Sequence, residues 1–328
     1  MRRREFITLL GGAAAARPIL ARAQQPTVPV IGWFSGRNLE ADALVLPAFR
    51  QGLNAHGYVE GRNVTIEYAF ADGRYDRLPM LAADLVRRRA AVIVAVGNSA
   101  PGIRAAQEAS TTVPTVFIFG EDPVKFGLVP NLNRPGGNST GVANLLRELA
   151  PKRLGILHEL LPSATFFAVL MNPANIGGLE EAAAVQNAAR AIRRPLRMLN
   201  ASTEPELDAA FSAVTQMRPD ALFVLSDPFF FARAHQIVEF AARLAIPASY
   251  HRREFAAAGG LLSYGSNADD NYRVLGDYAG RILKGEKAGD LPVQLPTRFE
   301  LTVNLRTAKA LGITVPTGIL VRADEVIE

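Results

Sequence analysis

Short runs of β-branched and aromatic residues, four to seven long and almost wholly apolar, alternate along this chain with alanine-rich stretches of ten or more residues. A strand that is apolar at every position has no face to offer water, so it must be covered on both sides, and helices between strands supply that cover. The expected fold class is therefore α/β, with parallel sheets flanked by helices. A first series has strands at Val28–Phe34, Val64–Tyr68, Val92–Val96 and Thr115–Phe119, with helices near Ala43–His56, Arg77–Arg88 and Ala100–Ala109. A second has strands at Phe166–Met171, Leu196–Leu199, Ala221–Leu225 and Pro247–Tyr250, with helices near Leu179–Ile192, Glu204–Met217 and Phe231–Leu244.

Between the two series, Pro135-Gly136-Gly137-Asn138-Ser139-Thr140-Gly141 breaks the rhythm, and Leu146–Leu161 reads as a long amphipathic helix. A lobe boundary is expected near Ala143. The halves share architecture but no visible sequence repeat. The elements after Tyr250, a glycine-rich stretch at Gly259–Gly265, a helix at Asp269–Leu283 and a strand at Phe299–Asn304, are too few for a third domain. The expected division is 24–143 plus 259–295 for lobe one and 144–258 plus 296–328 for lobe two.

The first 23 residues stand apart. Arg2-Arg3-Arg4, a short apolar run from Phe6 to Ala16 and Ala21-Arg22-Ala23 read as an export signal with a twin-arginine start, cleaved before Gln24. The apolar run falls short of the roughly 20 residues that span a bilayer. This leader also carries most of the basic excess. Of 36 basic and 31 acidic residues it holds five arginines and one glutamate, so the formal charge of +5 falls to +1 once it is removed. A near-neutral mature chain gives no basic footprint for nucleic acid. The absence of cysteine rules out disulfides, thiolate metal sites, a cysteine nucleophile and a lipid joined through cysteine. The expected destination is the periplasm, with no membrane anchor.

In open α/β sheets, solutes sit beyond the carboxyl ends of the strands. Those ends are Ser35-Gly36-Arg37-Asn38, Gly97-Asn98-Ser99-Ala100, Gly120-Glu121-Asp122-Pro123, Asn172-Pro173-Ala174-Asn175, Ser226-Asp227-Pro228-Phe229 and Tyr250-His251-Arg252-Arg253. Gly97 to Pro101 leaves a buried strand and opens a helix, whose N–H groups suit a carboxylate, although Asn and Ser cap helices in any protein. Asp227, beside Phe229-Phe230-Phe231, suits an ammonium on an apolar body, although Asp-Pro also opens ordinary turns, as at Asp122.

Catalytic patterns are poorly represented. His56, His158, His235 and His251 stand singly, without the spacing of a zinc site. The one Gly-x-Ser-x-Gly match, Gly137-Asn138-Ser139-Thr140-Gly141, lies in the Pro-Gly-Gly break and not at a strand-to-helix turn, and there is no Walker loop and no dinucleotide fingerprint. No metal and no cofactor is expected.

The block from Asp122-Pro123-Val124-Lys125-Phe126-Gly127 through Asn133-Arg134-Pro135-Gly136-Gly137-Asn138-Ser139-Thr140-Gly141 resembles the substrate-binding proteins of ABC transporters of the tryptophan/tyrosine-binding type. The likeness continues through Gly57-Tyr58-Val59-Glu60-Gly61-Arg62-Asn63, Gly73-Arg74-Tyr75-Asp76, Asp227-Pro228-Phe229-Phe230 and Ser263-Tyr264-Gly265 to Ala323-Asp324-Glu325-Val326-Ile327-Glu328. The resemblance implies two Rossmann-like lobes joined by a three-stranded hinge, as in type I periplasmic binding proteins. They would close on a small solute, and the protein, a monomer, would present it to an ABC permease in the inner membrane with no chemistry on the solute.

The same resemblance places Ser35, Asn98, Ser99, Ala100 and Asp122 of lobe one at the cleft, with Asn172, Asp227, Phe229 and Tyr250 of lobe two and Tyr264 near the hinge. Asn38, in the loop after the first strand, is a further candidate. The chain departs from its relatives at Arg37-Asn38 and at Tyr250-His251-Arg252, and an arginine in the cleft would favour a second carboxylate or another acid. Two other function classes share parts of the pattern. They are an exported α/β enzyme acting on a small acid, and the ligand-sensing core of a transcription factor, which would begin with a helix-turn-helix rather than an export signal.

Overall fold

The computed structural model describes residues 28–328, so the expected leader and its twin arginines lie outside the described residues. In the first lobe, β1 (Val30–Ser35), β2 (Thr65–Phe70), β3 (Val92–Val96), β4 (Thr115–Phe119) and β5 (Ser139–Ala143) form an all-parallel sheet in the order β2-β1-β3-β4-β5. The helices α1 (Leu39–Ala43), α2 (Leu46–Asn54), α3 (Leu78–Arg87) and α4 (Ala100–Ala109) connect them. Every residue of β3 and β4 is buried, which is why those runs carry no polar alternation.

After β5 the chain crosses through α5 (Leu146–Leu160) into the second lobe, where β6 (Phe167–Met171), α6 (Ile176–Ala191), β7 (Leu196–Asn200), α7 (Glu204–Met217) and β8 (Ala221–Val224) follow. Then come α8 (Pro228–Phe231), α9 (Ala234–Arg243), β9 (Ala248–Tyr250), α10 (Arg253–Ala257) and β10 (Leu262–Ser266). The chain returns to the first lobe as α11 (Ala268–Leu283), which packs on α2 and on the first sheet. It finishes in the second with β11 (Phe299–Asn304), α12 (Leu305–Ala310), α13 (Thr317–Arg322) and β12 (Glu325–Ile327). The larger sheet has the order β12-β11-β10-β9-β8-β6-β7, with β11 antiparallel to β10. Apolar clusters cover both faces of each sheet.

Three strands differ from the sequence reading, one of them β12, which pairs with β11 where no strand was expected. β5 was expected as a break, yet all five of its residues are buried and paired with β4. Its small residues are required there, because a Cβ on Gly141 would stand 1.9 Å from the carbonyl oxygen of Phe117. β10 was expected within the return to lobe one, but it pairs with β9 and β11 inside the second sheet, so the return begins at α11. Gly265 allows this, since a Cβ there would meet the His251 carbonyl at 2.0 Å.

The three crossings run side by side, which makes them a three-stranded hinge. The Ala143 N–H donates to the Gln294 carbonyl, the Asn267 N–H to that of Arg298, and Asn271 Nδ2 bonds both Asn144 Oδ1 and Ser266 Oγ. The lobes touch one another in front of this hinge. Ala41 of lobe one packs into a core cluster of lobe two, and Lys125 Nζ reaches Glu180 Oε1 at 2.6 Å.

Candidate functional site

Between the lobes, beyond the carboxyl ends of β1, β3, β4, β6, β8 and β9, lies a cleft with a cavity of about 100 Å³. Lobe one lines it with Arg37, Gly97, Asn98, Ser99, Phe119, Gly120 and Glu121, and with Asn271 and Tyr272 from the first turn of α11. Lobe two adds Asn175, Ser226, Asp227, Phe231, His251 and Arg252. Asn144 and Ser266 line it from the hinge.

The loops after β1 and β3 meet closely, since a Cβ on Gly36 would lie 2.1 Å from the Gly97 carbonyl oxygen. Gly97 itself has φ +56°, and the Arg37 side chain lies across it. Arg37 is 3% exposed. Its Nε donates to Asp42 Oδ1 at 2.6 Å and its Nη2 to the Tyr272 hydroxyl at 2.7 Å. The other oxygen of Asp42 accepts from Trp33 Nε1. Burial alone would lower the Arg37 pKa, but Asp42 and Tyr272 outweigh it and raise it, so the guanidinium stays charged.

Arg252, on the opposite lobe, is built in the same way. Its Nε and Nη2 are held by Glu254, which overcomes the lowering effect of burial. The guanidinium carbons of Arg37 and Arg252 lie 5.2 and 4.3 Å from the centroid of Phe231, and 5.8 and 6.0 Å from that of Tyr272. Two cations from different lobes thus share two rings. His251, also in the lining, is buried, and burial together with Arg153, Arg252 and Arg37 holds its pKa well below the usual value, so the ring is neutral.

Asp227 lines the cleft but is held by the protein. It caps α8 and accepts from the Phe229 N–H at 2.8 Å and Asn172 Nδ2 at 3.1 Å on Oδ1, and from Asn175 Nδ2 at 2.9 Å on Oδ2. Burial raises its pKa against these hydrogen bonds. These three donors leave part of its about four lone-pair sites, so a solute ammonium would share the carboxylate with the protein.

Of the other expected residues, Asn98 and Ser99 line the cleft at the start of α4. Asn98 Nδ2 bonds the Phe34 carbonyl and its Oδ1 has no partner. Asn172 stands behind Asp227, and Ala100 begins α4 one residue beyond the lining. Ser35 Oγ accepts from the Arg37 N–H, Asn38 Oδ1 caps α1, and Asp122 Oδ1 accepts from the Val124 N–H. These three polar atoms shape their own loops. Phe229 lies buried under Arg233. Tyr250 is buried and stacked on Phe255, and Tyr264 lies in β10 with Lys152 over its ring. None of these six lines the cleft. Asn271 and Tyr272, on α11, carried no signal in the sequence, while Asn175 was named only within a strand end and Phe231 only as one of the aromatics beside Asp227. Arg37 and Arg252, like Glu121, Ser226 and His251, had carried a signal as strand-end residues.

The family profile described as ABC transporter substrate binding protein matches residues 38–327. The chain belongs to this family. It is similar to a tyrosine-binding protein of Clostridioides difficile strain R20291, with 26% identity over 81% of this chain and 75% of that one. A structure of a conserved domain protein from Vibrio cholerae superposes with a TM-score of 0.82 at 25% identity, over 91% of this chain and 99% of that one. The structure of an ABC domain from Streptococcus pneumonia in complex with L-Trp gives 0.81 at 22% identity, over the same shares of the two chains. No helix among the described residues is long and apolar enough to cross a membrane.

Proposed function

We propose that the protein is the solute-capturing receptor of an ABC importer, working in the periplasm after export through its twin-arginine leader. It takes up a small solute, an aromatic or other amino acid or a related carboxylic acid, by closure of the two lobes and hands it, chemically unchanged, to a permease in the inner membrane. The observation that carries this reading is the pair Arg37 and Arg252, one from each lobe, brought to the same two rings. An acid seated between them touches both lobes at once. It therefore binds the closed arrangement better than the open one, which is the condition for a solute to drive closure. The names of two similar proteins, a tyrosine-binding protein and a complex with L-Trp, support an acid of this kind.

A thermal-shift panel of amino and organic acids tests the proposal. A solute at 100 times its Kd should add about 2.7 kcal/mol of stability. The same solute should shrink the radius of gyration in small-angle scattering and be recovered with its mass unchanged. Stabilisation without compaction would remove the closure mechanism, and a changed mass would point to an enzyme.

A further inference from the structure

Three six-membered aromatic rings line the cleft, and none of them offers a face to a solute. Phe119 is 2% exposed, Phe231 4% and Tyr272 1%. Each is packed against another ring. Phe126 meets Phe119 edge to face with centroids 5.3 Å apart, Phe255 meets Phe231 at 6.0 Å, and Trp33 stacks with Tyr272 at 6.3 Å. The guanidiniums of Arg37 and Arg252 lie over Phe231 and Tyr272 as well. These cations are not free to swing off the rings and make room. Asp42 and the Tyr272 hydroxyl hold Arg37, Glu254 holds Arg252, and parting a buried ion pair leaves an uncompensated charge.

Space points the same way. The lobes already touch through Lys125 and Glu180 and through Glu121 and Gly177, so the cavity between them is that of the closed arrangement. Its volume is about 100 Å³, whereas a cavity of about 150 Å³ holds a single benzene ring. An aromatic amino acid brings its ring and its charged head together. Much of the remaining lining is polar, with Asn98, Ser99, Asn144, Ser226, Ser266 and Asn271 around the cavity. An apolar ring among them displaces water without replacing its hydrogen bonds, which loses affinity.

We propose, building on the receptor reading, that the solute is a short-chain polar acid, an amino or hydroxy acid of the size of serine or aspartate, and that the closed cleft excludes aromatic amino acids. A short polar acid reaches the amides and hydroxyls of both lobes without moving a ring or an arginine. Closure around an aromatic side chain requires a displaced guanidinium or separated lobes, and either one gives up contacts that the closed arrangement makes.

Titration calorimetry with a size series tests this: L-alanine, L-serine, L-aspartate and L-malate against L-phenylalanine, L-tyrosine and L-tryptophan. The best short acid should bind more tightly than any of the aromatic three by roughly tenfold or more. Leu146→Ala supplies a second reading. Leu146 lines the cleft against Gly120 and is only partly buried, so its truncation adds space without touching either arginine. The variant should still melt cooperatively, and the gap between the short acid and phenylalanine should narrow by roughly tenfold. An aromatic amino acid that binds the wild type as tightly as the short acids overturns the size assignment and leaves the receptor reading standing. A gap that Leu146→Ala does not narrow shows that space is not what excludes the ring, and overturns it as well. If none of these acids binds, the acid-receptor reading falls and takes this assignment with it.

Discussion

Glu121 of lobe one rests against Gly177 of lobe two so closely that a Cβ on that glycine would stand 1.8 Å from Glu121 Oε1. The contact exists only while the lobes are together, and the absence of a side chain at the start of α6 is what admits it.

Gly177→Ala should therefore displace the Glu121 carboxylate, which can swing aside because it is the end of a flexible side chain. Closure then proceeds without this contact. Gly177→Ala and Glu121→Ala are expected to weaken solute binding by similar factors, on the order of fivefold for a lost contact worth about 1 kcal/mol. The double variant should be no weaker than either single one. Calorimetry on the three variants checks this, and additive losses would show that the two residues act separately.

Gly276→Ala should destabilise the first lobe. On α11 a Cβ at this position would meet the Phe49 carbonyl oxygen of α2 at 2.0 Å, and the reciprocal position, Gly52, would meet that of Arg273 at the same distance. Two helix backbones in contact cannot yield as a side chain can. A loss of about 1–3 kcal/mol or more is expected in urea unfolding, together with weaker solute binding because Asn271 and Tyr272 ride on the same helix.

His251 makes stability depend on pH with a definite sign. Its folded pKa lies well below 6.5 because of burial first and then of Arg153, Arg252 and Arg37. Below pH 6.5 the unfolded chain binds a proton that the native ring refuses, so stability must fall as pH falls. Between pH 7.5 and 5.5 the wild type should lose about 1.4 kcal/mol more than His251→Asn does. Parallel pH slopes of the two proteins in denaturant melts would remove His251 as the cause.

Beneath the cleft, Arg153 and Glu181 form a buried pair at 3.1 Å, and Glu181 also accepts from the N–H and hydroxyl of Ser226. Burial lowers Arg153 to about 10, and its Nε and Nη1 have no partner. Arg153→Leu strands the carboxylate and should cost about 3–5 kcal/mol. Adding Glu181→Gln removes the stranded charge and keeps an acceptor for Ser226, so most of that loss should return. Urea midpoints of the single and double variants decide it.

The site was less legible in the sequence than the strands, and the reason is visible at particular residues. The ends of β1, β3, β4, β6, β8 and β9 were found, because an apolar run that stops at small polar residues is a local pattern. Which side chain at each end faces the cleft is another matter. Asn38 and Asp122 turn back to bond N–H groups of their own loops, as short polar side chains do, while Arg37, next to Asn38, crosses Gly97 and reaches Tyr272. Asp227 was found at the cleft, but its bonds from Asn172 and Asn175 were not legible, since those residues come from another strand end.

By itself, the sequence determined that the chain is α/β, with two series of parallel strands, because burial of the wholly apolar ones on both faces follows from composition within a few residues, whereas the edge strands β2 and β7 are only partly buried. The tertiary structure alone decided that β10 joins the second sheet, that α11 returns to press on α2, and that Arg37 and Arg252 share Phe231 and Tyr272. Those relations join residues far apart in the chain. They depend on backbones meeting at Gly52, Gly276 and Gly265, where only the absence of a side chain allows the contact, and no local periodicity encodes which backbone will arrive there.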